Sequence, residues 1–183
     1  NVSNQRLARA DRGAKDNSSK SGLPVPDQPD PNMSEISADQ LAQRIYEARL
    51  METPQIEAVL SSVGGRTAGL DVFITALLQQ GCLTNWQISR LAEGARTGYF
   101  YGHWKVLYLV GAGTFARVYR AAHDQTKELK AVKVLRSRYV DDEAVRDRFI
   151  REARTVMALR HPNIVPIHEV DLERGRCYMV MDF

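Results

Sequence analysis

The stretch YLVGAGTFARVYRAA, residues 108–122, decides how the second half of this 183-residue chain is interpreted. It has the form of a glycine-rich phosphate loop, with Ala116 where a third glycine is usual. Loops of this kind occur in two unrelated phosphate sites. A dinucleotide-binding turn opens a helix, whereas the residues after this loop, ARVYRAAHD, alternate as they do in a half-exposed strand. The pattern therefore predicts a hairpin between two strands.

A glycine hairpin can lie over a chain of phosphates. Gly111 and Gly113 lack a Cβ, so backbone N–H groups can approach phosphate oxygens closely. Phe115, at the tip, would shield those phosphates from water. An ordinary β-hairpin whose glycines serve only the turn is the favoured interpretation when the loop is taken alone.

The residues around the loop predict an α+β domain over residues 98–183. Three runs, WKVLYLVGAG, RVYRAAHD and ELKAVKVLR, predict successive antiparallel strands. A helical pattern follows over residues 141–160, and two further strands flank a turn at residues 173–175. The order β-β-β-α-β-β predicts a five-stranded antiparallel sheet with one helix.

A lysine and a glutamate in this region are candidate partners. In LKAVKVL, period-two alternation places Ala131 and Lys133 on one face of a strand. Glu152 falls at the edge of the apolar side of the following helix, where a carboxylate needs a partner. Lys133 could reach it from the neighbouring strand. The alternative is a solvent-facing pair with Arg148, four residues earlier.

Four motifs occur together in one order: VGAGTFARV, KAVK, REARTVMALRHPNIV and YMVMDF. In that order and approximate spacing, residues 103–183 resemble the N-terminal lobe of protein kinases, above all the bacterial, eukaryotic-type Ser/Thr protein kinases. The resemblance implies ATP and Mg²⁺ as cofactors and proteins as substrates. It also implies that the sequence belongs to an enzyme that transfers the γ-phosphate of ATP to Ser and Thr hydroxyls.

The resemblance assigns roles to individual residues. Lys133 would contact the α- and β-phosphates, and Glu152 would pair with it in the active arrangement. Met181 falls at the gatekeeper position, and the backbone carbonyl of Asp182 would accept from the adenine amino group. The nucleotide-binding residues implied in this way are Val110, Gly111, Gly113, Thr114, Phe115, Val118, Ala131, Lys133, Met181 and Asp182.

Two substitutions depart from the family pattern. Ala116 adds a methyl group to the loop, which we expect to tune its flexibility without loss of binding. Lys130 replaces an apolar residue before Ala131, and alternation points it away from the nucleotide face.

The motifs that would complete a kinase are not found in these 183 residues. The catalytic Asp of the HRD loop, and the Asn and DFG Asp that hold Mg²⁺, would follow Phe183. We therefore assign no metal ligand in this chain and expect these residues alone to be inactive. The alternative function is a non-catalytic kinase-like regulatory or protein-interaction module, and the presence or absence of HRD and DFG motifs distinguishes the two.

The preceding residues, 36–97, predict a small all-helical domain. Ser37 with Gln40, and Thr84 with Gln87, form capping boxes, and Thr53 starts a helix with a proline in its first turn. No metal spacing or catalytic constellation occurs there. We expect this domain to pack, to bind a protein partner or to dock within the molecule.

Composition limits the remaining possibilities. Residues 1–35 hold four of the seven prolines and few large apolar side chains, which predicts a disordered tail or linker. A net charge of +3 is too small to indicate nucleic acid, and no apolar run is long enough to span a membrane. Cys82 and Cys177 match no metal spacing, so we expect two reduced thiols in a cytoplasmic protein.

Overall fold

The computed structural model describes residues 36–183, so the tail predicted at residues 1–35 lies outside the described residues. Four helices come first: α1 (Ala38–Glu47), α2 (Thr53–Ser62), α3 (Leu70–Gln79) and α4 (Asn85–Ala92). The second half contains β1 (Phe100–Tyr101), β2 (Trp104–Ala112), β3 (Ala116–His123), β4 (Leu129–Leu135), α5 (Glu143–Met157), β5 (Ile167–Glu173) and β6 (Arg176–Met181). No helix of the described part is both long and apolar enough to cross a membrane.

The helices begin where the capping signals predicted. The Ser37 hydroxyl accepts from the Gln40 backbone N–H, and the Gln40 side chain accepts from the Ser37 N–H. Thr84 and Gln87 form the same reciprocal pair at the start of α4, and α2 begins at Thr53. The apolar sides of these helices share one core whose innermost members are Leu41, Ile45, Leu60, Phe73, Leu77 and Leu91.

The sheet has six antiparallel strands in the order β1-β2-β3-β4-β6-β5. The five predicted strands and the helix after β4 are present, but the prediction of five strands misses β1. This strand is two residues long, too short to show alternation. It pairs with β2 through a turn at Gly102, whose φ of 54° lies in the left-handed region.

The two faces of the sheet bury different side chains. The outer face carries a buried cluster that includes Val106, Tyr119, Val132 and Val180. The inner face packs against α5. The core between the sheet and α5 consists of Ala116, Leu135, Phe149, Ala153, Cys177 and Met179, together with Val140. The strands β3, β4 and β6 thus supply residues of opposite faces to two separate cores.

The helices cover the edge of β2 beyond the point where β1 ends. The Val106 N–H donates to the Tyr99 carbonyl at 2.8 Å. The Gln87 side-chain amide donates to the Val106 carbonyl at 2.6 Å, and the Thr84 hydroxyl donates to the Leu107 carbonyl at 2.5 Å. Side chains of α4 and its cap therefore replace the strand that would otherwise continue the sheet.

Apolar and charged contacts reinforce this junction. The Trp86 ring lies edge-on to Tyr99 and Tyr119, with ring centroids 6.3 and 5.7 Å away. Lys105, on β2, donates to the Leu50 carbonyl at 3.0 Å, and burial lowers the pKa of its ammonium group. The helical part and the sheet are therefore joined by buried contacts as well as by the chain.

The two capping glutamines offer a matched test of this junction. We expect Gln87→Ala to lower the free energy of unfolding by about 1–3 kcal/mol, because the buried Val106 carbonyl loses its donor. Gln40→Ala removes the same capping bond at an exposed site and should cost less than about 1 kcal/mol. Urea denaturation followed by circular dichroism measures both, and equal losses would show that the bond to β2 contributes nothing.

Candidate functional site

Three of the residues predicted to bind the nucleotide lie in one row across the sheet. Gly111 on β2 stands opposite Val118 on β3, and Val118 stands opposite Lys133 on β4. Directly opposed residues of antiparallel strands share a face. Met179 stands opposite Lys133 and belongs to the core beneath α5, so the whole row lies on the inner face.

A second row lies beside the first. Ala131, which is buried, stands opposite Met181, which packs against the inner core. Arg120 stands opposite Ala131 on its other side, and its guanidinium carbon lies 4.3 Å from the ring centroid of Phe183. Arg120 was not predicted on this face, although the alternation that places Val118 there also applies to Arg120.

The loop between β2 and β3 is an exposed hairpin. The Gly113 N–H donates to the Ala116 carbonyl at 2.8 Å and closes the turn, while Thr114 remains exposed. Ala116 is buried against α5, so its methyl group is a core contact. Val110 lies within a bulge of β2 and is 49% exposed, which leaves it outside the two rows.

Phe115 at the tip of the hairpin contacts the segment between β4 and α5. Its ring centroid lies 5.1 Å from that of Tyr139, in the short 3-10 turn before α5. Its carbonyl accepts from the Arg136 N–H at 2.9 Å. The tip is thus tethered to the segment between β4 and α5, and its ring stays 55% exposed.

Glu152 and Lys133 do not meet in this structure. Glu152 accepts from Arg148 at 2.9 Å, which is the alternative pairing that the sequence left open. The physical reason is the rotation of α5, which directs Phe149 and Ala153 at the sheet and leaves Glu152 at the exposed edge of that side. The Lys133 ammonium lies 5.8 Å from the Phe149 ring centroid.

The geometry around Gly111 and Lys133 fits a phosphate chain. A Cβ built on Gly111 would meet no atom within 4 Å, so the backbone there faces open space. Within residues 36–183, no carboxylate lies within ion-pair distance of Lys133. Exposed backbone on one side and an unneutralised cation on the other are what an anionic ligand requires.

Asp182 belongs to a charged cluster at the end of β6. Its carboxylate accepts from the Lys130 ammonium at 2.7 Å and lies 2.7 Å from the His168 Nε2. Hydrogen bonding to Lys130, and then to His168, lowers the pKa of Asp182. The Asp182 N–H donates to the Pro166 carbonyl at 3.2 Å. The segment where the resemblance places an adenine contact is therefore fixed from two sides.

The family model of the protein kinase domain matches residues 104–183. Residues of this chain are 38% identical over 73 residues to CBL-interacting serine/threonine-protein kinase 15 of Arabidopsis thaliana, covering 40% of the chain and 17% of that protein. They are 37% identical over 82 residues to the serine/threonine-protein kinase PrkC of Bacillus subtilis, covering 45% and 13%. The chain therefore spans less than a fifth of the length of these relatives.

A solved structure, the PknI kinase domain of Mycobacterium tuberculosis, is similar over 47% of this chain and 35% of that chain, with 28% identity and a TM-score of 0.41. The strand order, the helix after β4 and the glycine hairpin agree with the family-model match, so residues 104–183 are similar to a protein kinase domain. The named relatives of this region are Ser/Thr protein kinases.

Two glycines of β2 and its preceding turn should respond differently to alanine. We expect Gly111→Ala to leave the free energy of unfolding unchanged or to raise it by up to about 1 kcal/mol, because the added methyl group meets open space. Gly102→Ala should lower it by more than about 1 kcal/mol, since its Cβ would clash with the Tyr178 hydroxyl at a positive φ. Urea denaturation compares them; a large loss for Gly111→Ala would mean that the fold itself needs this glycine.

Titration can test whether Lys130 lowers the pKa of Asp182 more than His168 does. We expect Lys130→Met to raise the pKa of Asp182 more than His168→Asn does, because the bond to Lys130 has the larger effect. A depressed pKa stabilises the fold above the unfolded value and loses that effect as pH falls through the folded value. Carboxyl chemical shifts of Asp182 measured by NMR check this, and a larger rise for His168→Asn would reverse the assignment.

Proposed function

We propose that the protein is an ATP-dependent Ser/Thr protein kinase and that residues 104–183 bind the nucleotide. The observation that supports this most is the single row of Gly111, Val118 and Lys133 on the inner face. A glycine backbone beside open space and a lysine without a carboxylate partner then lie on the same face. ATP supplies the γ-phosphate, and protein Ser and Thr hydroxyls receive it.

The proposed roles of the residues follow from their positions. Backbone N–H groups of the Gly111 to Phe115 hairpin bind phosphate oxygens, and Lys133 holds the α- and β-phosphates. Val118 and Ala131 enclose the adenine, beside Met181 and the Asp182 carbonyl. Glu152 acts as a positioning residue for Lys133 once it leaves Arg148. No metal ligand is assigned within residues 36–183, where no cluster of three candidate ligands occurs.

Breaking the present pair between Glu152 and Arg148 requires little energy. An exposed pair four residues apart on a helix contributes only about 0.2–0.5 kcal/mol, and both Arg148 and Glu152 are largely exposed. A lysine bound to phosphates and to Glu152 together gains several charge-assisted hydrogen bonds. The pairing with Arg148 is therefore compatible with a protein that forms the Lys133–Glu152 pair when nucleotide binds.

A lysine substitution tests the proposal. In a protein that contains these residues within a complete kinase domain, we expect Lys133→Met to reduce turnover on the order of a hundredfold or more, because a phosphate contact is lost. Lys127→Met removes a lysine at the exposed turn before β4 and should change turnover less than about twofold. A γ-phosphate transfer assay measures both, with thermal denaturation confirming the fold.

The alternative is a kinase-like module that regulates or assembles without transferring phosphate. The buried junction between α4 and β2 favours it as a second candidate, since it ties a second structural unit to the kinase-like sheet. Binding of a fluorescent ATP analogue separates the two. Lys133-dependent binding with transfer supports the enzyme, Lys133-dependent binding without transfer supports the module, and unchanged turnover in Lys133→Met contradicts the assigned phosphate role.

A further inference from the structure

The junction between the helices and the sheet creates a groove on the outer face, opposite the proposed nucleotide side. The groove has a volume of about 680 Å³. Its walls are α4 with the connection at residues 93–98, the turn at residues 174–176 and the segment after β4, and its floor is formed by β2, β3 and β4. We name it the arginine groove, after the six arginines that line it: Arg90, Arg117, Arg136, Arg138, Arg174 and Arg176.

The charge of the arginine groove is not balanced by its own residues. Glu93 is the one acidic residue among the groove's lining residues, and it pairs with Arg90. Arg174 lies 3.6 Å from Glu173. The other four arginines make no ion pair within residues 36–183. Several guanidinium groups that face one concavity repel one another unless an anion joins them.

Arg136 is the least satisfied member, and Arg117 lies on the same face of the sheet. The Arg136 Nε is buried and has no hydrogen-bond partner within the described part of the chain. Arg117 is opposite Val134 in the sheet, and alternation along β4 puts the Arg136 side chain on the same face as Val134. A buried N–H without an acceptor is unfavourable, so Arg136 would gain a hydrogen bond if its guanidinium group turned toward a ligand oxygen in the groove.

The remaining lining limits the class of ligand. Tyr119 and Val134 form an apolar floor, and the Trp86 ring lies beside it. A flat membrane surface would meet α4 and the 174–176 turn, which form the walls of the groove, before it met the floor. A phosphate on a peptide side chain can reach it, with guanidinium groups binding its oxygens in pairs and apolar neighbours of the phosphorylated residue covering the floor.

We propose that the arginine groove binds a peptide segment that carries a phosphorylated side chain. The ligand would contact Arg117 and Arg136 from the sheet and the α4 side at the same time. It would therefore join the helical part to the kinase-like region. This site is separate from the proposed ATP site on the inner face, and its occupancy does not depend on phosphate transfer.

The binding test uses the complete 183-residue chain and the fluorescein-labelled peptide Gly-Leu-Ala-phosphoserine-Leu-Ala-Gly, followed by fluorescence anisotropy. We expect the unphosphorylated peptide to bind at least about tenfold more weakly, because charge-assisted hydrogen bonds to the phosphate are lost. Arg117→Gln with Arg136→Gln should weaken phosphopeptide binding at least about tenfold. Arg154→Gln, an exposed arginine on α5 outside the groove, should weaken it less than about twofold.

Further measurements distinguish specific binding of the phosphopeptide from nonspecific electrostatic attraction. Arg117→Gln alone tests the groove if loss of Arg136 prevents folding, since Arg117 is exposed. Equal binding of both peptides, or equal weakening by Arg154→Gln, would overturn the proposal. Stronger groove-dependent binding to phosphatidylserine vesicles or to oligothymidine than to the phosphopeptide would also overturn it in favour of a lipid or nucleic-acid ligand.

Discussion

The unpaired edge of β2 is the constraint on which the rest of the structure depends. β1 pairs with only the first two residues of β2, so the backbone groups of Val106 and Leu107 need other partners. Tyr99, Gln87 and Thr84 supply them. An exposed strand edge also invites pairing with other chains. The helices therefore complete the sheet, and Gln87 serves two structural units through one side chain.

This arrangement assigns different tasks to the two faces of the sheet. The helices reach the outer face through Trp86, while α5 covers part of the inner face through Phe149 and Ala153. The open part of the inner face is the area around Gly111 and Lys133. The proposed nucleotide site is therefore open because the helical part covers a different side, and α5 is the element whose rotation decides whether Glu152 reaches that site.

Local signals in the sequence predicted much of this fold because they act within a few residues. The capping boxes at Ser37 and Thr84 place helix starts correctly, since the bonds join residues three apart. Alternation correctly groups Ala131 with Lys133, because their cross-strand partners Met181 and Met179 both pack on the inner core. The strand β1 was not predicted because two residues are too few to show an alternation of apolar and polar side chains.

Nonlocal contacts could not be predicted in the same way. A glutamine at the third position of a helix indicates a cap, and nothing local indicates that Gln87 also binds β2, 19 residues later. The partner of Glu152 depends on the rotation of α5, which the packing of Phe149 sets. The arginine groove likewise combines residues from α4 to the β5–β6 turn, whose proximity exists only in the folded molecule.

The arginine groove and the inner face are connected through β4. Val132 and Val134 lie in the outer-face cluster, and Ala131 and Lys133 alternate with them along the same strand. Val134 is also a floor residue of the arginine groove, and Lys133, beside it in the chain, faces the proposed nucleotide site. A phosphopeptide in the groove and a nucleotide on the inner face would therefore contact neighbouring residues of one strand. Any coupling between the two binding events would be equal in both directions.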